Sequence, residues 1–483
     1  MVTNGGICMN YLIGIDVGTS ATKTVLFDEN GQIKGSVSCE YPLYQPENGW
    51  AEQKAEDWRD AVLKTLKEVM ELSGVPAEEV NGIGISGQMH GLVMLDEQGE
   101  VLRPSIIWCD QRTGEEVEDM LRIMPRERWI QITANPPLTG WTAAKILWVR
   151  KHEPEIYARC RHILLPKDYI RYILTGVFAT EVSDASGMQL LDVPGRCWSD
   201  EVLEKLEIPK EWLGTVYESC QVTGTLLPEI AEQTGLNTEV KVVGGAGDNA
   251  AAAVGTGVVR DGSAFTTIGT SGVVFAHSSK VTIDPKGRVH TCCCAVPGAW
   301  HVMGVTQGAG LSLKWFKDQF CQDYVAEAKK QGVDVYDLIN RDIEKIPVGS
   351  DRLLYLPYLM GERTPHLDPD CRGVFFGLSA IHTKAHLLRA VMEGVSYSLA
   401  DCNEILKEMG VDVDQMMACG GGGKSPIWRQ MLSDLYQCQV KTVYQSEGPA
   451  LGVAILAGVG CGIYESVESA CDRLIREDRV SQP

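Results

Sequence analysis

Residues 11–27 read Tyr-Leu-Ile-Gly-Ile-Asp-Val-Gly-Thr-Ser-Ala-Thr-Lys-Thr-Val-Leu-Phe. Leu12, Ile13 and Ile15 lead into Asp16-Val17-Gly18-Thr19-Ser20, and residues 22–27 are β-prone again. The stretch predicts a β-hairpin with a glycine turn at its tip, and Asp28-Glu29-Asn30-Gly31 then turns the chain into a third strand. The pattern returns much later: a strand over 264–268, the turn Gly269-Thr270-Ser271-Gly272, and a strand over 273–276. The two Gly-Thr-Ser turns lie 251 positions apart (269 − 18), about half of the 483 residues. That period is too long for a solenoid. It predicts two similar domains, each opening with a hairpin whose turn meets the same kind of ligand. A boundary near residue 260 follows, and the absence of a low-complexity linker predicts that the domains pack around a cleft.

A glycine turn between strands suits phosphate, because the backbone can approach closely and successive N–H groups form an anion-binding concavity. A neighbouring threonine or serine hydroxyl adds a donor. Asp16 cannot itself favour phosphate, but it makes sense with a cation such as Mg²⁺ between it and the phosphates. A second carboxylate, Asp248, follows the strand over 240–243 and the run Gly244-Gly245-Ala246-Gly247, with a small-residue helix expected from Ala250. It could accept a proton from a substrate hydroxyl or cap that helix, and the local sequence leaves both readings open.

The remaining organisation is α/β. Residues 55–72 predict a helix with Trp58, Val62, Leu66 and Val69 on one stripe. A strand over 82–86 runs into Gly87-Gln88-Met89-His90-Gly91, and a hairpin surrounds Asp96–Gly99. Residues 142–175 read as two helical pieces broken by Pro154 and Pro166. A long helix over 385–406, with Leu387, Val391, Val395 and Leu399 every four residues, precedes the glycine run Gly420-Gly421-Gly422-Gly423.

Three glycine patterns invite a different nucleotide reading. Gly82-Ile-Gly84-Ile-Ser-Gly87 matches GxGxxG but falls inside a predicted strand. Gly245-Ala-Gly247-Asp-Asn-Ala250 follows a strand, yet its aspartate would repel a pyrophosphate. Gly420 to Ser425 resembles a Walker loop, but the leading glycine is missing, since position 418 is Ala. His90 is the one histidine of interest, because it sits in a glycine-flanked turn; without further context it reads as a satisfied core histidine.

Composition sets outer bounds. Lys plus Arg is 44 and Asp plus Glu is 64, a net charge of −20, which argues against a nucleic-acid partner. No apolar run reaches the ~18 residues of a membrane span. The nearest, residues 449–464, reads as a buried small-residue helix. Residues 1–10 lack the basic and apolar regions of a secretory signal, and Met9 is an alternative start. The 16 cysteines therefore read as reduced cytoplasmic thiols. Cys292, Cys293 and Cys294 are adjacent and would alternate faces on a strand, a poor metal cage.

Together the motifs resemble the FGGY carbohydrate kinases of the sugar kinase/Hsp70/actin superfamily. Asp16 to Ser20 is similar to the family's first phosphate loop. Thr142-Ala-Ala-Lys145-Ile-Leu-Trp148 is similar to its first signature, and Gly373-Val-Phe-Phe-Gly377-Leu378 with His386, Leu387, Ala390 and Glu393 to its second. Gly87 to Gly91 and residues 356–366 look like the xylulokinase branch, and the similarity runs over residues 11–464, nearly the whole chain.

The resemblance implies two actin-like ribonuclease-H-fold domains flanking a central cleft that takes ATP and a sugar. The implied layout is an N-terminal extension (1–10), a sugar-binding domain (11–258), a nucleotide-binding domain (259–464) and a C-terminal helix and tail (465–483). The implied reaction is ATP-dependent phosphorylation of D-xylulose, with Asp248 as catalytic base. Asp248 and Asn249 would hold sugar hydroxyls, and Met89 and His90 match the branch's sugar-binding pair, where glycerol kinases carry Arg-Glu. Asp16 matches the residue associated with Mg²⁺ and activity. Gly18, Thr19, Gly269 and Thr270 match the phosphate-contacting turns. Gly310, Gly421, Gly422 and Lys424 fall where the family places the nucleotide. A cytoplasmic enzyme without nucleic-acid or membrane partners follows, with a homodimer compatible with it. The rival readings are a kinase for another ketose or a polyol, a non-enzymatic actin-like ATPase module, and an NAD-dependent dehydrogenase. Met89-His90 and Asp248-Asn249 speak against the ATPase module.

Overall fold

Tyr11–Val17 (β1) and Ala21–Asp28 (β2) form the expected antiparallel hairpin, with Leu12 opposite Phe27 and Asp16 opposite Lys23. They belong to a computed structural model that describes residues 9–445 and 447–483. The expected extension falls mostly outside the described residues, as does Met1. Ile33–Glu40 (β3) continues the meander. Ala55–Ser73 (α1) follows, burying Trp58, Val62, Leu66 and Val69 on its predicted stripe and ending at Gly74 in the left-handed region (φ 64°).

Val80–Gly87 (β4) pairs parallel with β1, and Lys241–Val243 (β5) pairs parallel with β4. Val222–Thr225 closes that edge, giving the order edge–β5–β4–β1–β2–β3. Ile13, Ile15, Ile83 and Ile85 are buried, as central strands covered on both faces require. Asp248–Gly255 (α2) leaves the end of this sheet.

The second half repeats the plan. Gly262–Ile268 (β6), Gly272–Ser278 (β7) and Trp300–Thr306 (β8) form an antiparallel meander. After Lys384–Glu408 (α3), Val413–Cys419 (β9) pairs parallel with β6, and Gln439–Val443 (β10) pairs parallel with β9. The inner order β8–β7–β6–β9–β10 matches β3–β2–β1–β4–β5. The halves therefore share one topology, as the spacing of the two turns predicted. Glu477–Ser481, expected only as tail, adds an edge strand beside β10.

The final apolar helix, Gly448–Gly460 (α4), returns to the first sheet. It lies so close that a methyl on Gly14 would sit 1.9 Å from the Ala450 carbonyl, and one on Gly84 2.0 Å from that of Val453. This contact explains Gly84 at the centre of the Gly82–Gly87 pattern: it admits a helix backbone, not a dinucleotide, while Gly87 at the end of the pattern packs on Lys167. The expected buried helix over 449–464 is α4. Among the described residues, no helix is long and apolar enough to cross a membrane.

Local expectations needed correction in three places. Residues 142–175 form three helices, not two, because Pro154 and Pro166 each open a helix as its first residue, and strand His162–Leu164 lies between. Around Asp96–Gly99 the hairpin reduces to one bridge, Leu95 to Val101, while Val93–Leu95 pairs with His162–Leu164 instead. The helix expected from Ala250 begins at Asp248.

Candidate active site

Two carboxylates meet where β1 and α2 end and begin. Beyond β5, Ala246 and Gly247 pair briefly with Ser86 and Gly87 of β4, and the chain then enters α2 at Asp248. Gly247 occupies the cap position and Asp248 is the first helical residue, so the capping alternative does not describe this side chain. Among the described residues its Oδ1 accepts only from the adjacent Asn249, from the amide at 2.7 Å and from Nδ2 at 3.2 Å. Burial pushes the Asp248 pKa up to about 7, the charge of Asp16 adds to the rise, and the Asn249 amide opposes it. Asp16 is also raised by burial; the Ser86 hydroxyl, 2.9 Å from Oδ1, and Lys23 oppose that shift, while Glu447 adds to it.

The Gln88–His90 loop lies against this point. A methyl on Gly247 would stand 3.0 Å from Met89 Sδ, so Met89 packs on the residue before Asp248. His90 is held in the left-handed region (φ 68°) and stacks on Trp141 with ring centroids 4.6 Å apart. Its Nδ1 faces the Gly187 carbonyl at 2.8 Å. A carbonyl only accepts, so Nδ1 carries the proton and Nε2 of the neutral ring is left as an acceptor. The ring stays neutral because burial lowers its pKa to about 3, with Lys145, His290 and Arg363 adding to the effect. Fully buried Lys145 donates to the carbonyls of His90 (2.7 Å) and Gly140 (2.6 Å), and Thr142 donates to the same His90 carbonyl at 3.1 Å.

The first phosphate-type turn is tied to this loop. Gln88 Nε2 donates to Gln53 Oε1 (2.8 Å), and Gln53 Nε2 donates to the Thr19 carbonyl (2.7 Å). Gly18 N–H closes the turn on the Ala21 carbonyl, and Trp108 Nε1 donates to Thr19 Oγ1 at 2.9 Å.

A cavity of about 770 Å³ opens from Asp248 and Asn249 toward the second half, with Thr267, Gly421, Lys424 and Tyr444 among its walls. Buried Arg429 holds the glycine loop there by donating to the carbonyls of Gly423 (2.7 Å) and Lys424 (2.9 Å). Gly422 is not among the described wall residues; it packs on Ile268, 2.5 Å from a hypothetical methyl. Gly269, Thr270 and Gly310 form a separate cluster. The Gly310 amide donates to the Gly269 carbonyl at 2.7 Å, and the Leu311 amide to that of Thr270 at 3.2 Å. In this conformation the helix Gly310–Phe320 thus docks its N-terminal amides on the second turn.

Among the described residues, no three Asp, Glu, His or Cys side chains converge as a ready-made metal cage. Mg²⁺ does not require one, since it is usually held by one or two carboxylates together with phosphate oxygens and water. Asp16, with one oxygen on Ser86 and its charge felt by Asp248, fits that donor set. The cysteine run does not: Cys293 and Cys294 lie in different core clusters, and burial pushes their thiols up to about 11 and about 12.

Sequence reasoning gave Ser86, Gln53, Trp141 and Lys145 no role. Lys145 left a signal, a lysine inside the apolar helical stretch Ala143-Ala144-Lys145-Ile146-Leu147, which is unusual for a solvated cation. Ser86 left none, because only the β1–β4 register sets it beside Asp16.

Comparison with known proteins agrees with this architecture. The model of the FGGY family of carbohydrate kinases, N-terminal domain, matches residues 11–255, and its C-terminal counterpart matches residues 264–461. The chain is 41% identical to a xylulose kinase of Bacillus subtilis over 98% of this chain and 93% of that protein. It is 32% identical to a gluconokinase of the same organism over 96% and 90%. A solved xylulose kinase from Rhodospirillum rubrum superposes with a TM-score of 0.91 at 28% identity, covering 98% and 94% of the two chains. The chain belongs to the FGGY family of carbohydrate kinases.

Proposed function

We propose that this kinase transfers the γ-phosphoryl group of ATP to the terminal hydroxyl of D-xylulose, giving D-xylulose 5-phosphate. The observation that carries the reading is the position of Asp248. It opens a helix at one end of the 770 Å³ cavity, which also takes in Gly421 and Lys424, while Met89 packs on the preceding glycine. Asp248 is the general base and, with Asn249, binds sugar hydroxyls. His90 Nε2 accepts from a hydroxyl, and Met89 supplies an apolar wall. Gly421, Gly422 and Lys424 serve the nucleotide. Gly18, Thr19, Gly269, Thr270 and Gly310 serve its phosphates once the Gly310–Gly269 contact rearranges. In this reading, residues 11–258 hold mainly sugar and 259–464 mainly nucleotide.

Asp248 accepts the hydroxyl proton as the new O–P bond forms, and the bond to the departing ADP breaks. A positioned base of this kind contributes ~10²–10⁴-fold. Bound Mg²⁺, with Asp16 as its protein ligand, would neutralise charge on the phosphates. Domain closure that excludes water limits hydrolysis of ATP. An acidic chain must reverse its average field locally to hold an anionic nucleotide, and the glycine turns and Lys424 supply donors for that.

The unbridged cysteines of the described residues support a reducing, cytoplasmic setting. A homodimer belongs to the same reading, and sedimentation velocity tests it. The decisive experiment is ADP release across ketoses, polyols and sugar acids. Preference for D-xylulose is the expected result; equal turnover without any sugar would replace the reading with a plain ATPase.

A further inference from the structure

Beneath the site, residues 182–188 form one short helical segment, Val182–Ala185 followed by Ser186–Met188. It touches the residue before Asp248 and the ring of His90. Ser183 Oγ accepts the N–H of Gly247, the residue before Asp248, at 3.1 Å. Four residues on, the Gly187 carbonyl accepts His90 Nδ1–H at 2.8 Å.

Glu181 holds this segment in place. Its carboxylate accepts from the amides of Ser183 (2.7 Å) and Asp184 (2.9 Å) and from the hydroxyls of Ser183 and Ser219 (both 2.8 Å). Lys167 Nζ lies 3.2 Å away and also reaches Asp168 (2.8 Å) and Asp184 (3.3 Å). Arg171 pairs with Asp168 and donates to the carbonyl of Gly244, a second point on the turn that carries Asp248. These ionic groups are at most 1% exposed. The single Ser183 hydroxyl proton goes to Glu181, so the direction of the chain is fixed: Gly247 N–H to Ser183 O–H to carboxylate. Such a chain strengthens cooperatively in a low-dielectric interior.

We propose that Ser183 is a positioning residue for phosphoryl transfer, setting Asp248 through the Gly247 amide while the same segment sets His90 through Gly187. The inference rests on the reading of Asp248 as base and His90 as sugar contact. It adds that the two are held in one frame by Glu181.

The test compares full-length Ser183→Ala, Ser183→Thr and Gly187→Ala with Asp248→Asn in steady-state kinetics and thermal unfolding. Ser183→Ala should lower kcat about 10- to 100-fold, the effect of a small misplacement of a reacting group, with the KM for ATP within about twofold. Ser183→Thr keeps the hydroxyl and should restore most of the rate. At Gly187 a methyl would stand 2.6 Å from His90 Nδ1 and 3.1 Å from Met89 Cε, so Gly187→Ala should raise the sugar KM more than it lowers kcat. Folded Ser183→Ala with a parental kcat, beside an inactive Asp248→Asn, overturns this inference alone. Active Asp248→Asn overturns the base assignment and this inference with it. If Ser183→Ala does not fold, a parental sugar KM in Gly187→Ala overturns the shared frame.

Discussion

The Ser86 hydroxyl donates to Asp16 Oδ1 at 2.9 Å, across a parallel register that sets the two residues opposite each other on β4 and β1. The bond favours the charged carboxylate against the burial that raises its pKa. It also fixes one oxygen and leaves the other for a cation. Asp16→Asn should therefore lose activity on the order of 10²-fold, the scale of a lost electrostatic contact at a reacting phosphate. A Mg²⁺ titration should not restore it. Ser86→Ala should keep more activity but need more Mg²⁺ for half-maximal rate. Full recovery of Asp16→Asn at high Mg²⁺ would remove Asp16 from the metal shell.

The contact of α4 with the first sheet makes a stability prediction independent of chemistry. Gly84→Ala places a methyl 2.0 Å from the Val453 carbonyl, a backbone atom that cannot rotate away. Overpacking typically costs about 1–3 kcal/mol, and each kcal/mol lowers Tm by roughly 2–4 °C in domains of this size. Gly114→Ala is the control: nothing lies within 4 Å of its methyl, and it opens the helix Gly114–Ile123. Its Tm should stay level or rise slightly. Equal Tm values for the two variants in calorimetry would contradict the close approach.

How much of this was legible in the sequence depends on the range of the forces involved. The hairpins at Gly18 and Gly269 were visible because alternation and turn chemistry are local. So was the stripe of Trp58, Val62, Leu66 and Val69. The role of Gly84 was not, since the atoms that exclude its methyl belong to Val453, far along the chain. The sequence also left Asp248 between base and helix cap. Only the brief pairing of Ala246 and Gly247 with β4 shows that Gly247 is the cap. At Pro154 and Pro166 the misreading was of direction: proline breaks a helix it ends and favours one it begins.

Lys145 makes the third prediction. Its side chain is fully buried, that burial lowers its pKa to about 7, and it donates to the His90 and Gly140 carbonyls. Lys145→Met removes a buried charge and keeps the stem, so the fold should tolerate it better than loss of one partner of an ion pair. Yet the His90 carbonyl keeps only Thr142 as side-chain donor, and that of Gly140 loses its lysine. The left-handed His90 should relax, raising the sugar KM by about tenfold, close to 1.4 kcal/mol of lost binding. The KM for ATP should change less than twofold. An equal rise in both KM values would show a general loss of structure instead.

Asp248 makes the last, and its sign runs opposite ways in rate and in stability. A base must be unprotonated to accept a proton, and its pKa is pushed up to about 7. The kcat/KM for sugar should therefore fall as pH drops below about 7 and level off above it. Asp248→Asn should lose ~10²–10⁴-fold and the dependence with it. In the unfolded chain the same carboxyl returns to its ordinary value of 3.8. Between those values the folded protein holds a proton that the unfolded chain has lost, so stability declines as pH rises through that window. Asn carries no charge to bury. The Tm of Asp248→Asn should exceed that of the parent by a margin that is small near pH 4 and widest above pH 7. A margin independent of pH would mean that the Asp248 carboxyl is not titrating in the folded protein where its burial places it. A parental kcat/KM that stays flat from pH 5 to 8 would mean that it is not the base.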